Sequence, residues 1–185
     1  IIAWSIQAAI NSKCFDKVIV STDDLEIAEI AGSFGAEIPF MRPENLSDDQ
    51  TTTIPVINHA IKWLQEQGIH PKLACCIYAT APFVLPEDII NGLKQLQKNK
   101  DDFAFTVTSY AFPIQRAINI NSDNLISMFS PEEFSTRSQD LKKAYHDAGQ
   151  FYWGKTEAWL EERMVFGPHS TPIIIPRHRV QDIDT

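Results

Sequence analysis

Short apolar runs rich in β-branched residues alternate with amphipathic stretches through the first 108 residues, and this alternation constrains the fold more than any other feature. Nearly continuous apolar runs are typical of strands buried on both faces. They lie at residues 17–21, 73–78 and 103–108. Stretches with helical spacing lie at residues 2–10, 25–34, 53–67 and from Pro86 onward. The alternation predicts right-handed crossovers, and hence an α/β fold with a mostly parallel sheet flanked by helices on both faces.

The ligand pocket of such a fold is expected beyond the carboxyl ends of its strands. The segments that follow the three predicted strands are therefore the candidate pocket walls. They are residues 21–24, 79–83 and 109–115.

The pattern changes after residue 110. Residues 117–128 read as a hairpin, and residues 131–143 are polar without a clear period. An aromatic strand at 151–153, a short helix at 156–163 and a buried strand at 172–176 follow. We interpret 110–150 as an excursion from the sheet, a common place for a lid or a subunit contact, within one domain spanning 1–185.

Charge and composition exclude several classes of protein. A formal charge of −8 argues against a general nucleic-acid binder, which carries a basic face, although a bound cation still allows a nucleotide substrate. Three cysteines are too few for a disulfide scaffold, so we expect a reducing, cytoplasmic setting. The uncharged stretch at 73–85 is too short for a membrane helix, so no membrane partner is expected.

The acidic tail is the sharpest local signal. In an extended chain, the carboxylates of Asp182 and Asp184 point to the same side. Two hard oxygen donors at this spacing suit Mg²⁺, which neutralises triphosphate charge and stabilises departing pyrophosphate. The alternative is a solvated acidic chain end.

Two further polar groups follow predicted strands or precede helices. Arg42 begins a loop whose far end is rich in hydroxyl groups, including those of Thr51 and Thr53, and leads into a helix. These groups either bind an anion or cap the helix. Asp23 and Asp24 either bind a metal or ribose or cap the next helix.

Two histidine-containing segments each have two possible roles. His146 with Asp147 is either an acid/base pair or an ordinary hydrogen-bonded group. The segment 177–179 contains two arginines and a histidine, which contact an anionic ligand or pair with the acidic tail. The cysteines show no metal-ligand spacing.

Several segments together resemble the CMP-sialic acid synthetases across nearly the whole chain. The likeness is carried by residues 1–9, by VIVSTDD at 18–24, by IAEIA at 27–31, by GAEIPFMRPENLS at 35–47 and by VQDIDT at 180–185. The segments 109–116 and 145–153 are similar to the pseudaminic acid branch. Sialic acid enzymes typically carry Gln where Tyr78 stands and Asn where Ala148 stands. These differences favour another nonulosonic acid, because an unmatched buried polar group discriminates strongly.

The resemblance implies a single-domain enzyme with a protruding dimerisation segment, acting as a homodimer. It implies Mg²⁺-dependent conversion of CTP and pseudaminic acid, an acidic nine-carbon sugar, to CMP-pseudaminic acid and pyrophosphate. Residue by residue, it assigns nucleotide binding to Arg42, Thr51 and Thr53, sugar binding to Tyr78, Ala148 and Tyr152, and both metal binding and catalysis to Asp182 and Asp184. We add Thr80, Asp147 and Gln150 to the sugar site because they adjoin these positions and can hydrogen-bond.

One departure from the family concerns the phosphate loop. Family members have a strand and a loop rich in Gly, Ser, Arg and Lys upstream of the position of Ile1, and that loop holds the triphosphate. We expect the gene product to carry it and this polypeptide alone to be inactive. Two rival functions remain: a cytidylyltransferase for N-acetylneuraminate or legionaminate, and a phospho-accepting receiver-like signalling domain using Asp23 and Asp24.

Overall fold

The computed structural model describes residues 1–181 and 183, and a four-stranded sheet forms its centre. The strands are β1 (Leu73–Ile77), β2 (Phe103–Ser109), β3 (Ile118–Ile120), β4 (Ile126–Met128), β5 (Tyr145–Lys155) and β6 (Ser170–Ile174). The helices are α1 (Ile2–Ser12), α2 (Leu25–Ser33), α3 (Thr53–Glu66), α4 (Pro86–Asn99) and α5 (Thr156–Leu160). The central sheet has the order β1-β5-β2-β6, and β3 pairs with β4.

The central sheet is mixed, which corrects the expectation of a mostly parallel sheet. β5 runs antiparallel to both β1 and β2, and β2 pairs in parallel with β6. β1, β2 and β6 therefore share one direction, as alternation predicts. β5 reverses it because the chain between β2 and β5 returns without an α-helical crossover.

Helices cover both faces of this sheet, as predicted. Side chains of β2 alternate between the two layers, as the period of a strand requires. Ala104 packs in a cluster with residues of α1 and α4, including Ala8 and Ile89. Phe103 and Phe105 pack in the cluster that contains Ile61 of α3, Trp159 of α5 and other buried side chains.

The predicted strand at residues 17–21 is wrong within the described part of the chain. The segment makes one isolated parallel bridge, between Ile19 and Glu37. Two backbone hydrogen bonds close it: Val20 N donates to Glu37 O at 3.0 Å, and Glu37 N donates to Val18 O at 2.7 Å. Apolar pattern alone predicted a strand here, but a strand also needs a neighbouring ladder.

Elements after residue 110 agree in type and differ in extent. The predicted hairpin is formed by β3 and β4, and Asn121 Oδ1 accepts hydrogen bonds from two turn amides. β6 begins and ends two residues before the predicted strand, and its residues alternate between buried and exposed, so its outer face is not covered. None of the helices in the described residues has the length and apolarity needed to cross a bilayer.

A break in β5 positions the candidate site. Phe105 of β2 lies opposite Tyr152, but Val107 lies opposite Asp147. Across this break β2 advances two residues while β5 advances five, so β5 loops out. Gly149 sits in the loop with a φ of 60°, a left-handed conformation that favours glycine. The aromatic strand predicted at 151–153 is thus the second half of a longer, interrupted strand.

Candidate active site

The break in β5 brings Asp147 and Tyr152 into direct contact. In a regular strand, residues five apart lie about 17 Å from each other and on opposite faces. Here the Tyr152 hydroxyl donates a hydrogen bond to Asp147 Oδ2. The backbone N–H of Gly149 donates to Asp147 Oδ1 at 3.0 Å. The looped backbone therefore fixes both oxygens of this carboxyl group, which fits the placement of strand irregularities beside active sites.

Tyr78 extends this group toward α3. It directly follows β1, and its ring centroid lies 5.4 Å from that of Tyr152. The Tyr78 hydroxyl lies 3.0 Å from Thr53 Oγ1, in the first turn of α3. The sequence-predicted residues Thr53, Tyr78, Asp147 and Tyr152 are therefore adjacent in the fold.

The pKa of Tyr152 is strongly raised. Burial is the largest cause, followed by the hydrogen bond to Asp147 and the negative charge of that residue, with a smaller effect of Tyr78. The Tyr152 hydroxyl therefore keeps its proton at physiological pH and acts as a donor to Asp147.

A cavity of about 320 Å³ lies beside these groups. Its volume falls at the lower end of the range for small-molecule sites. Ala148 lies in its wall and is buried. Because its side chain is a methyl group, this position offers no side-chain hydrogen bond to a ligand. The lining residues are Tyr78, His146, Asp147, Ala148, Gly149, Val180 and Gln181.

His146 lines the same cavity, and its hydrogen bond fixes one ring nitrogen. His146 Nδ1 lies 2.7 Å from the backbone oxygen of Asp147. A carbonyl only accepts, so Nδ1 carries the hydrogen in this contact. The ring also packs edge-on against Tyr110, with centroids 4.9 Å apart. The contact supports the interpretation of His146 as a hydrogen-bonded residue and leaves its role in acid/base chemistry a prediction.

The Gln150 side chain contacts the backbone of a neighbouring segment, and Gln150 does not line this cavity. Its Nε2 donates to the backbone oxygen of Arg179 at 2.6 Å, while its buried Oε1 has no partner among the described residues. Arg179 in turn forms a two-pronged ion pair with Asp88 near the start of α4. The sequence did not predict this ion pair, since no local pattern connects residues 88 and 179. Gln150 therefore braces the segment that leads to the acidic tail.

Thr80 does not join the hydrogen-bonded group. It is exposed in the turn after Tyr78, and no side-chain hydrogen bond of Thr80 exists within the described residues.

Arg42 and Thr51 lie in separate hydrogen-bonded groups. The Arg42 guanidinium contacts Asp23 Oδ1 at 3.0 Å and Ser47 Oγ at 3.1 Å. The hydrogen bond from Arg42 is the main reason why the pKa of Asp23 is lowered. The Thr51 hydroxyl donates to Asp48 Oδ1 at 2.8 Å. Each side chain would have to exchange a protein partner to contact a nucleotide.

The capping interpretation is confirmed for Asp24. Its Oδ1 accepts a hydrogen bond from Ile27 N at 3.0 Å, at the start of α2. Asp23 instead forms an ion pair with Arg42.

The predicted metal ligands Asp182 and Asp184 lie outside the described residues. Within residues 1–181 and 183, no group of three or more His, Cys, Asp or Glu side chains could hold a metal ion. The buried thiols of Cys75 and Cys76 have raised pKa values, that of Cys76 to about 12, because burial disfavours the thiolate. Both side chains are partly buried and pack against the core clusters, an environment that does not favour the reactive thiolate.

Comparison with known proteins decides the family. A family model described as Cytidylyltransferase matches residues 1–181. The chain belongs to the cytidylyltransferase family. It is therefore a nucleotidyltransferase, and the receiver-like signalling alternative is wrong.

Two relatives from Campylobacter jejuni differ in how similar they are to this cytidylyltransferase. The chain is 45% identical over 185 residues to a pseudaminic acid cytidylyltransferase, covering 100% of the chain and 80% of the relative. It is 30% identical over 189 residues to a CMP-N,N'-diacetyllegionaminic acid synthase, covering 100% of the chain and 78% of that relative. The chain is therefore more similar to the first enzyme over a matched length.

A solved structure supports the fold. The structure of CMP:2-keto-3-deoxy-manno-octonic acid synthetase complexed with CTP matches with a TM-score of 0.62 at 11% identity. The match covers 94% of this chain and 79% of that one. At this identity the likeness concerns the fold alone, a mixed sheet with helices on both faces.

Proposed function

We propose that this cytidylyltransferase transfers the CMP group of CTP to pseudaminic acid, forming CMP-pseudaminic acid and pyrophosphate. The proposal rests on the cavity lined by Tyr78 and Asp147, at which Tyr78 also contacts Thr53 and Tyr152. Family membership supports cytidylyl transfer, and the higher identity to the pseudaminic acid enzyme supports the choice of sugar.

The proposed reaction is an in-line displacement at the α-phosphorus of CTP. A bond forms between the sugar's anomeric oxygen and the α-phosphorus, while the bond from that phosphorus to the oxygen bridging to the β-phosphorus breaks. The hydroxyl proton passes to a base, and pyrophosphate leaves. Positioning and charge stabilisation supply most of the rate enhancement in such transfers.

Each predicted residue has a role in the proposed reaction. Arg42, Thr51 and Thr53 hold the nucleotide, with Arg42 exchanging Asp23 for a nucleotide oxygen. Asp147 accepts hydrogen bonds from sugar hydroxyl or amide groups while Tyr152 keeps its carboxyl group oriented. Ala148 leaves room for a substituent that an Asn side chain would contact. Gln150 positions the chain, and contact between Thr80 and the sugar remains a prediction.

We propose that Asp182 and Asp184 hold Mg²⁺. The donor set fits, because two carboxylates supply the hard oxygens that this ion prefers. When bound, Mg²⁺ supplies neutralisation of the triphosphate and of the departing pyrophosphate. Asp184→Asn is expected to lower kcat by about 100-fold or more, the scale seen when a major electrostatic contribution is removed.

The metal assignment is tested by comparing Asp184→Asn with Asp123→Asn, which alters an exposed carboxyl in the β3–β4 turn. Both variants should unfold at the wild-type urea concentration. Calorimetric titration of MgCl₂ into protein saturated with α,β-methylene-CTP should lose its heat only in Asp184→Asn. Wild-type turnover and Mg²⁺ binding in that variant would place the metal elsewhere.

The segment between β2 and β5 is proposed to form a homodimer contact. It exposes a concentration of large apolar side chains, which is unusual for the surface of a monomer. These include Phe112, Ile120, Ile126, Phe129 and Phe134. Sedimentation equilibrium should give a dimer that Phe129→Asp dissociates. A wild-type monomer at micromolar concentration would overturn the proposal. A cytoplasmic location is proposed as well, on the three free thiols.

The proposed reaction is tested by pyrophosphate release from CTP and MgCl₂ with the full-length protein. Pseudaminic, N-acetylneuraminic and N,N'-diacetyllegionaminic acids are compared. We expect kcat/KM to be at least about 100-fold higher for pseudaminic acid, because a site that leaves polar groups unpaired with the wrong sugar discriminates strongly against it. A higher value with another sugar would reassign the substrate, and no release with any of the three would refute the proposal.

A further inference from the structure

Tyr78 contacts residues proposed for both substrates. Its hydroxyl lies 3.0 Å from Thr53 Oγ1, on the nucleotide side. Its ring packs on Tyr152, and Tyr78 lines the sugar cavity together with Asp147. Hydrogen bonds at each end and ring packing between Tyr78 and Tyr152 therefore connect the two proposed subsites.

The backbone of Tyr78 is held firmly. Its N–H donates to Gln150 O at 3.0 Å, and its carbonyl accepts a hydrogen bond from Ser5 Oγ at 2.8 Å. These bonds tie the residue to β5 and to α1 directly after β1 ends. Ring packing against Tyr152 restricts the side chain further.

The number of protons on each hydroxyl limits the possible arrangements. A hydroxyl has one proton to donate and two lone pairs to accept with. Tyr152 uses its proton on Asp147, so its oxygen can only accept further bonds. Between Thr53 and Tyr78 either oxygen can be the donor. If Thr53 donates to Tyr78, Tyr78 presents a proton toward its other neighbours. If Tyr78 donates to Thr53, Tyr78 presents only lone pairs.

Nucleotide binding selects one of these arrangements. When Thr53 donates its proton to a nucleotide oxygen, it must accept from Tyr78. The Tyr78 proton is then held on Thr53, so the Tyr78 oxygen offers a sugar hydroxyl only lone pairs and no competing proton. Resting on the function proposed above, we propose that the Tyr78 hydroxyl couples nucleotide and sugar binding, so that each substrate raises the affinity for the other.

Coupling of this kind is reciprocal and can be measured at equilibrium. The probes are pseudaminic acid and α,β-methylene-CTP, in which the bond that breaks is replaced. In calorimetric titrations of the full-length protein with MgCl₂, saturating sugar should lower the Kd of the analogue about tenfold, within the usual range of coupling. The analogue should lower the Kd of the sugar by the same factor.

The Tyr78→Phe variant removes the hydroxyl and keeps the ring. We expect the analogue alone to bind within about threefold of its wild-type Kd and the sugar alone to bind more weakly, because Tyr78 lines its cavity, while the coupling factor falls from about ten to about one. Tyr145→Phe is the matched control, because it removes an exposed hydroxyl from β5 outside the group. It should keep the tenfold factor.

A second variant covers the case in which Tyr78→Phe fails to fold. Thr53→Val removes the partner hydroxyl, so it should also abolish the coupling factor, even if it weakens binding of the analogue itself. A tenfold factor retained in the folded Tyr78→Phe protein, or in Thr53→Val if Tyr78→Phe does not fold, overturns the inference. A coupling factor of one in the wild-type protein also overturns the inference, but the proposed function still holds if pyrophosphate is released. Absence of both analogue binding and pyrophosphate release refutes the proposed function itself.

Discussion

The two ends of β5 are built in opposite ways. At the Lys155 end the strand is regular, pairing with β1 on one side and β2 on the other. Asp102 there contacts both Lys155 and Arg163, each at 3.1 Å. At the Tyr145 end the strand loops out, Gly149 adopts a positive φ, and a cavity opens beside Asp147.

This difference separates groups that stabilise the fold from groups available to a ligand. A regular ladder satisfies the backbone and leaves side chains to pack or pair, as at Asp102. Bringing Asp147 and Tyr152 together at an open cavity requires the ladder to break. Substitutions at the regular end should therefore change stability, and substitutions at the looped end should change activity.

The largest expected effect is at the regular end. A Cβ added at Gly154 would lie 2.4 Å from Trp159 Nε1 and 2.7 Å from Phe103 Cδ1. Both rings are fully buried and cannot yield easily. Gly154→Ala is expected to lower the free energy of unfolding by about 3 kcal/mol, the upper range for overpacking. Urea denaturation measures this change.

The control for Gly154→Ala is Gly32→Ala, in α2. A Cβ there meets only Ile38 Cδ1, at an ordinary 3.5 Å. Alanine is also the better helix former, so Gly32→Ala should leave stability unchanged or raise it by up to about 1 kcal/mol. If Gly154→Ala proves as stable as wild type, the rigid packing at this end of β5 is wrong.

The next largest effect is expected at the looped end of β5, where Asp147 is replaced. Asp147→Asn keeps an oxygen that can accept from Tyr152, so the loop should persist. Loss of the charge should lower kcat/KM by about 10- to 100-fold, as expected for a hydrogen bond to a charged group. Asp102→Asn is the matched control, with activity expected within twofold or so of wild type. Equal losses of activity in both variants would contradict the separation of the two ends.

Gly149→Ala tests the looped backbone itself. No atom lies within 4 Å of the added Cβ, so the cost comes only from the φ of 60°. The free energy of unfolding should fall by about 1 kcal/mol, the cost of a left-handed alanine. Because Gly149 N orients Asp147, kcat/KM should fall more than stability alone explains. Unchanged kinetics in the folded variant would show that the loop geometry is not needed.

The smallest effect is a pH dependence at the regular end. Burial would raise the pKa of Asp102, but hydrogen bonds from Lys155 and Arg163 outweigh it, so the pKa lies below the usual 3.8. A lowered folded pKa means that the contribution to stability is complete above pH 3.8 and is lost as pH falls through the folded value. The pairs are partly solvated, so this contribution is no more than about 1 kcal/mol.

Urea unfolding of wild type and Asp102→Asn at pH 7, pH 4 and pH 3 checks this sign. Wild type should be more stable than the variant at pH 7, and the difference should shrink toward pH 3. A difference that stays constant or grows on acidification would contradict the lowered pKa of Asp102.

Local patterns predicted the helices well. The starts of α1, α2, α3 and α4 match the apolar spacing, and Asp24 caps α2 as one reading proposed. Helix formation depends on neighbours three and four residues away, which the sequence displays directly.

Strand pairing and the assembled site depend on distant residues and were less predictable. The direction of β5 and the loss of the strand at 17–21 are set by which segments pair, and that information is not local. Tyr78, Asp147 and Tyr152 were each identified, but not the contact between Asp147 and Tyr152. A five-residue separation indicates opposite faces until the break in register is known.

The most direct test of the central claim is a crystal structure of the full-length protein with α,β-methylene-CTP, MgCl₂ and pseudaminic acid. We expect the sugar in the cavity at the looped end of β5, with its polar groups within hydrogen-bonding distance of Asp147 and the Tyr78 hydroxyl, and the nucleotide on the Thr53 side. A sugar bound elsewhere while the nucleotide is fully ordered, or one that leaves Asp147 uncontacted, would contradict it.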